Sequence, residues 1–345
     1  MLFLRFLLNL LIVKQSTDLI QIQFEQFIDH FEKSYKNNPD EYIYRIKIFE
    51  KSLKKINFLN QFRQHKNSAL FGLTKYSDLT EQEFKQIVLK NNVSKSSKKK
   101  NKKTRRNTVE SFSVTSPIDD DNIPQKFDWR DKNVVSQIRD QGECGACWAY
   151  SIATTVESML AIKTNKTLRE FSTQQLVDCS ENHGCNGGDI CSTLEWMSNK
   201  NISLETLQDY PSKSIAGNCQ SDSPAKHSGV RIQTKHLCEN LVGNERQVIR
   251  MIANHGPVIA TVDASTWQNY LGGIIQYHCF NNRNHAVQIT GYDLSGPIPY
   301  YRVRNTWNLD FGINGYVHIA IGDNLCGIAE EISSIDLVDI PKSFL

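Results

Sequence analysis

Cysteine is absent from the first 143 residues of this 345-residue chain, and all nine cysteines follow. Thiols confined to one part of a chain, in odd number, imply disulfides there and at least one thiol outside them. No apolar run reaches the ~20 residues that span a bilayer, so no stable membrane insertion is expected. No internal repeat is visible. Acidic residues are missing altogether from Lys95–Arg106 (KSSKKKNKKTRR), which carries eight basic ones. The net charge of +3 hides this imbalance. Residues 1–122 hold 22 Lys+Arg against 14 Asp+Glu, whereas residues 123–345 hold 18 against 23. So local a basic run reads as a solvated, disordered linker, and no nucleic-acid partner is expected.

The longest apolar run, Phe6–Val13 after Arg5, has the form of a signal-peptide core. Removal near Gln15–Thr17 is expected, although a strong small-x-small site is lacking and a buried N-terminal helix is the competing reading. N-x-S/T sequons begin at Asn92, Asn165 and Asn201, compatible with glycosylation in the secretory pathway. Past the signal, Ile20, Phe24, Phe27, Ile28 and Phe31 recur at helical spacing, as do Ile46, Phe49, Leu53 and Ile56. Pro39-Asp40 predicts a break between them. Thr80 and Glu83 form a capping-box pattern. An amphipathic helix is predicted from Cys147 through Ala149, Ile152, Ala153, Val156, Met159 and Leu160. Alternation later predicts strands at Val258–Val262, Ala286–Gly291, Tyr300–Arg304 and Tyr316–Ala320. Helices first and antiparallel strands later predict an α+β fold with two facing halves.

Chemistry concentrates in Gln141–Ser151, QGECGACWAYS. Its C-x-x-C spacing fits a redox pair, half a zinc site, or one structural and one reactive thiol. Gly142 and Gly145 make a loop around Cys144, and Cys147 opens the helix. A thiol at a helix N-terminus meets the positive end of the dipole, which favours thiolate. Cys147 is therefore the better nucleophile. Its partner should be a histidine oriented by a third group. His285 opens one predicted strand and Asn305 closes another, so adjacent strand ends could pair them, with Trp307 shielding the bond from water.

QGECGACW, NHAV and RNTWN resemble the three active-site motifs of the papain-like cysteine proteases, the family of papain and the cathepsins. Glu41, Arg45, Phe49, Ile56 and Asn60 resemble that family's propeptide signature, and Gly72, Tyr76 and Asp78 the short motif after it. Within the family, Val262–Gln276 and Val303–Trp307 look most like the cathepsin O branch. The resemblance implies a papain-like fold of two subdomains, a helical left half and an antiparallel β-barrel-like right half, preceded by a helical inhibitory propeptide. It implies a cysteine endopeptidase made as a zymogen. Cys147 would be the nucleophile and His285 the proton carrier; Asn305 would orient His285, and Gln141 would donate to the oxyanion. Gly187, Gly188, Ile190, Thr261, Trp307 and Glu331 would contact substrate. Glu331 would close the floor of the pocket for the residue next but one before the cut, where a carboxylate could accept Arg as well as apolar side chains. The family pattern pairs Cys144 with Cys185, Cys179 with Cys219 and Cys279 with Cys326, leaving Cys191 and Cys238 as a fourth bridge or as buried thiols.

The implied layout is a signal peptide at 1–16, a propeptide at 17–90, a linker with the activation site at 91–122, and a peptidase domain at 123–345. Maturation is expected near Asp121-Asn122, or at Lys102–Arg106 by a basic-specific protease. Expected partners are protein or peptide substrates, the chain's own propeptide and cystatin-type inhibitors, for a monomer in the lysosome, the vacuole or the exterior. No cofactor and no metal is implied. Ser52 and Thr74 depart from the propeptide motifs, and Asn308 and Phe311 from the usual Asn-motif loop, which raises the alternative of a weak or inactive homologue that binds peptides or inhibits proteases. The zinc reading lacks a second ligand pair at finger-type spacing. The redox reading lacks a βαβ context before Gln141.

Overall fold

The computed structural model describes residues 18–90, 123–165, 168–220, 229–234, 237–280 and 282–344. The signal-peptide expectation, the linker with its cleavage sites, and Asn92 lie outside these residues.

Helix α1 (18–30) and helix α2 (Pro39–Asn60) form the N-terminal module. Its own core is Phe24, Phe27, Ile28 and Phe49. The predicted break between the two helices is present, and Pro39 stands at its end as the first residue of the second helix. Asn38 is the N-cap, its side chain accepting from the Glu41 N–H, and proline at the first helical position loses no intrahelical hydrogen bond. After β1 (Leu70–Phe71), Thr80 caps α3 (Glu81–Phe84) with the full capping box, and a π turn continues it over Lys85–Leu89.

The second region begins with β2 (Lys126–Asp128). Next come α4 (Cys147–Thr164), α5 (Thr173–Cys179), α6 (Ile190–Asn199), β3 (Ser203–Leu204) and β4 (Val230–Gln233). Then follow α7 (Glu245–Asn254), β5 (Val258–Val262), β6 (Tyr270–Gly272), β7 (Ile274–Ile275), β8 (His285–Asp293) and β9 (Tyr300–Arg304). The last elements are β10 (Tyr316–Ala320), β11 (Ile332–Ser333) and β12 (Asp336–Asp339). All four strands read from the sequence are present. The α4 helix differs from expectation: 15 of its 18 residues are buried, on every face, because it runs between the two halves.

The right half is a seven-stranded sheet ordered β11-β5-β8-β9-β10-β7, with β2 on β8. It is mixed rather than purely antiparallel, since β7 joins β10 in parallel, and it does not close into a barrel. The left half packs α4 and α6 against the β12-β4-β3 sheet.

The N-terminal module is built into this body. Strand β1 pairs antiparallel with β6, and Ile56, Leu59, Phe71, Phe84, Val88 and Leu89 share one apolar core with Trp267, Tyr270 and Trp307. Among the described residues no helix is long and apolar enough to cross a membrane. Phe49 is fully buried in the module's core, so Phe49→Ala should cost about 3–5 kcal/mol. The expected readout is a lower denaturant midpoint for the module while α4 and the main sheet keep theirs.

Candidate active site

Cys147 is the first residue of α4 and is fully buried. His285 is the first residue of β8, and Asn305 follows β9 directly. Because β8 and β9 are paired neighbours, the two side chains meet: His285 Nε2 and Asn305 Oδ1 are 2.7 Å apart, both residues fully buried. With the amide oxygen as acceptor, Nε2 carries the proton. Nδ1 makes no hydrogen bond, so its lone pair is available. The Trp307 ring lies 4.9 Å from the imidazole and the Trp267 ring 5.9 Å, edge-on. The backbone N–H of Ala286, beside His285, faces the Cys147 sulfur, as do those of Trp148 and Cys147 itself.

Gln141 enters from the loop before α4. Its N–H donates to the Thr306 carbonyl at 2.8 Å, and the Thr306 hydroxyl donates to Gln141 Oε1 at 2.5 Å. The second bond turns the amide so that Nε2 points inward. Nε2 donates to Val88 O of the N-terminal module at 3.1 Å and to Cys144 O at 3.2 Å. The sequence carries Thr306 only as a motif neighbour, and its role in setting the Gln141 amide becomes visible with the coordinates.

The N-terminal module follows the groove from one end to the other. Lys75 Nζ donates to Trp307 O at 3.0 Å and lies between Asp140 and Asp310. Tyr76 and Phe84 stand edge-on to Trp307 at 5.8 and 5.6 Å. Val88 sits on Gln141, and Lys90 donates to Glu143 O. Thr74, one of the departures from the motif, donates its hydroxyl to Gln268 O at 2.5 Å, so it still ties the module down.

Burial works against the expected charge on the thiol. Desolvation pushes Cys147 up to about 11 despite the three N–H groups around it, and pushes His285 down to about 4 despite the bond to Asn305. An ion pair out of water is costly, so burial and the helix dipole act on Cys147 in opposite directions.

Cys144 is joined to Cys185, Cys179 to Cys219, Cys279 to Cys326, and Cys191 to Cys238. Cys147 is the ninth cysteine, a buried thiol. Gly187 and Gly188 are buried beside the first bridge. A Cβ on Gly188 would lie 2.5 Å from the Trp148 ring, so only glycine fits there. Ile190 and Thr261 are buried, and Glu331 is ion-paired with Arg283 rather than open to a guest. Asn308 takes the left-handed backbone at φ 70°, with its Oδ1 accepting from the Leu309 N–H, and Phe311 packs on Trp307 at 4.6 Å. Both departures are thus accommodated. Asn165 and Asn201 are exposed.

Residues 123–335 match the model of the papain family cysteine proteases, and residues 24–84 that of the cathepsin propeptide inhibitor domain. Cathepsin O of Homo sapiens is 40% identical over 290 residues, covering 83% of this chain and 86% of its own. Among solved structures, digestive procathepsin L2 proteinase from Tenebrio molitor superposes with a TM-score of 0.72 at 30% identity, over 92% of this chain and 100% of the other. The recombinant stem bromelain precursor gives 0.75 at 26% identity, over 93% and 99%.

Two outcomes follow from the covered site. His285 is held below its ordinary 6.5, down to about 4, so an uncovered or unfolded state takes up a proton that the covered state refuses. The stability of the covered form should therefore be present above pH 6.5 and be lost as pH falls toward 4. His285→Gln should flatten that slope in unfolding midpoints measured across the window. Thr306→Val should free the Gln141 amide to turn. If the amide serves an oxyanion in the transition state, the expected result is a fall in kcat of about tenfold or more at nearly constant KM.

Proposed function

The chain belongs to the papain family of cysteine proteases, and from that premise we propose that its peptide-bond hydrolysis runs through Cys147 and His285, with Asn305 and Gln141 in support. The chain is a cysteine endopeptidase with its own propeptide as intramolecular inhibitor. When that segment leaves, water reaches the pair and both shifts relax. The Cys147 proton passes to His285 Nδ1, giving a thiolate at the start of α4 and an imidazolium held by Asn305. The thiolate bonds to the scissile carbonyl carbon, and the carbonyl oxygen takes the negative charge. Gln141 Nε2 and the Cys147 N–H donate to that oxygen, a contribution typically worth about 2.7–4 kcal/mol per donor. His285 returns the proton to the leaving amine as the C–N bond breaks, and a thioester remains. Water then attacks the thioester, His285 accepting its proton, and the acid departs.

The observation that carries this reading is the bond from Gln141 Nε2 to Val88 O. A peptide carbonyl already lies on the donor assigned to the oxyanion, within a fully buried Cys–His–Asn set. Gly187, Gly188, Ile190, Thr261, Trp307 and Glu331 are read as the walls that receive substrate. We assign residues 1–16 to a signal peptide, 17–90 to the propeptide, 91–122 to the linker cut near Asp121-Asn122, and 123–345 to the mature enzyme. This layout suits a protein of the secretory pathway, in lysosome, vacuole or exterior, open to cystatin-type inhibitors.

Activated wild-type protein should take one equivalent of a covalent epoxide or vinyl-sulfone probe on Cys147. Cys147→Ser should neither label nor turn over peptide. A folded, processed wild type that takes no label would sink this reading and favour the inactive, peptide-binding alternative.

A further inference from the structure

None of the active-site motifs singles out Arg283, two residues before His285. Its guanidinium serves three acceptors: Nη1 reaches the Glu331 carboxylate and, at 3.3 Å, Thr261 Oγ1, while Nε reaches Glu330 at 3.3 Å. The Arg283 and Glu331 side chains are only 24% and 12% exposed. Thr261 faces Ala286 across the β5–β8 pair, and Ala286 turns its N–H to the Cys147 sulfur. The ion pair is thus one strand away from the reacting groups. Asn282 and Asn284, on either side of Arg283, line the groove beside Leu89 and Lys90 of the propeptide. From the opposite half, Asp189 acts on Glu331: burial raises that carboxyl, Arg283 draws it down, and Asp189 raises it again. A Glu331 carboxylate oxygen also lies within 4.8 Å of both sulfurs of the Cys191–Cys238 bridge. The pair therefore closes the gap between the halves at the edge of the groove.

We propose that Arg283 is a specificity-determining residue of the protease, holding Glu331 in cis so that the pocket excludes basic substrate side chains and admits apolar ones. The inference rests on the assignment of Cys147 and of Glu331's pocket above. A substrate guanidinium would have to push Arg283 off Glu331 onto Glu330 alone and crowd a second cation beside it in a half-closed site, losing the Arg283–Glu331 contact at the cost of like-charge repulsion. An apolar side chain leaves the pair intact and shields it from water. Exclusion by an occupied partner is a repulsive element, and such elements discriminate as effectively as new attraction.

Two fluorogenic peptides that differ only in Arg or Leu at the residue next but one before the cut test this. Activated protein is used throughout, its concentration set by titration with a covalent epoxide. Wild type should favour Leu over Arg in kcat/KM by about tenfold or more, a difference of about 1.4 kcal/mol. Arg283→Gln should raise the Arg-to-Leu ratio about tenfold, and adding Glu331→Gln should return it to the wild-type value. Glu331→Gln alone should leave the ratio low and unchanged. Equal use of both peptides by wild type, an unchanged ratio in Arg283→Gln, or a drop in Arg use in Glu331→Gln alone would overturn the proposal. Protein that fails to titrate indicts the Cys147 assignment instead, so the two failures are distinguishable.

Discussion

A single hydrogen bond, 2.7 Å from His285 Nε2 to Asn305 Oδ1, sets the conditions for the rest of the site. It leaves Nδ1 as the ring nitrogen with an unengaged lone pair. Its two ends belong to neighbouring strands, so it exists only in the β8–β9 register observed, Ile289 opposite Val303. A slip of one residue would send His285 to the other face of the sheet. Strand β8 is therefore the axis of the right half: β5, β9 and β2 all pair with it, and Gln288 reaches across to Thr155 and Ser158 of α4. The polar network between the halves extends through Arg304, which donates to Ser136 and to the Gln137 carbonyl, and through Glu157, which accepts from Ser136, Arg139 and the Phe171 N–H. A buried network that joins the halves through this many bonds favours one relative placement of α4 and β8, and with it the placement of sulfur and imidazole.

The propeptide inhibits by the same physics that it uses to bind. Some of its polar contacts lie at the β6 edge, where Gln268 Nε2 donates to the Tyr76 and Leu79 carbonyls and Asn269 Nδ2 to Ser77. Its apolar contacts lie on Trp307, through Tyr76 and Phe84. Between the two, Val88 occupies the Gln141 donor. Burial in the covered chain works against charge on both Cys147 and His285.

Much of this was legible in the residues alone. The strands are written as alternation or continuous β-branched runs, and the capping box at Thr80 as two side chains at fixed spacing. Cys147, His285 and Asn305 stand out because each lies at the end of an element, where a side chain can face a neighbour. What was not legible depends on contacts between distant segments. The all-round burial of α4 reflects its place between two sheets, which no periodicity states. Thr306 and Arg283 act through partners 165 and 48 residues away. The protonation of Cys147 depends on burial as well as on the helix end, and the two act in opposite directions, so a local rule about helix ends states only one of them.

Phe71, Phe84, Val88 and Leu89 are core residues of a body they are destined to leave. A mature chain that has lost them still holds its shape through four disulfides and the main sheet, but it no longer carries the instructions that completed that core. The endurance of such a chain would rest more on slow unfolding than on ready refolding.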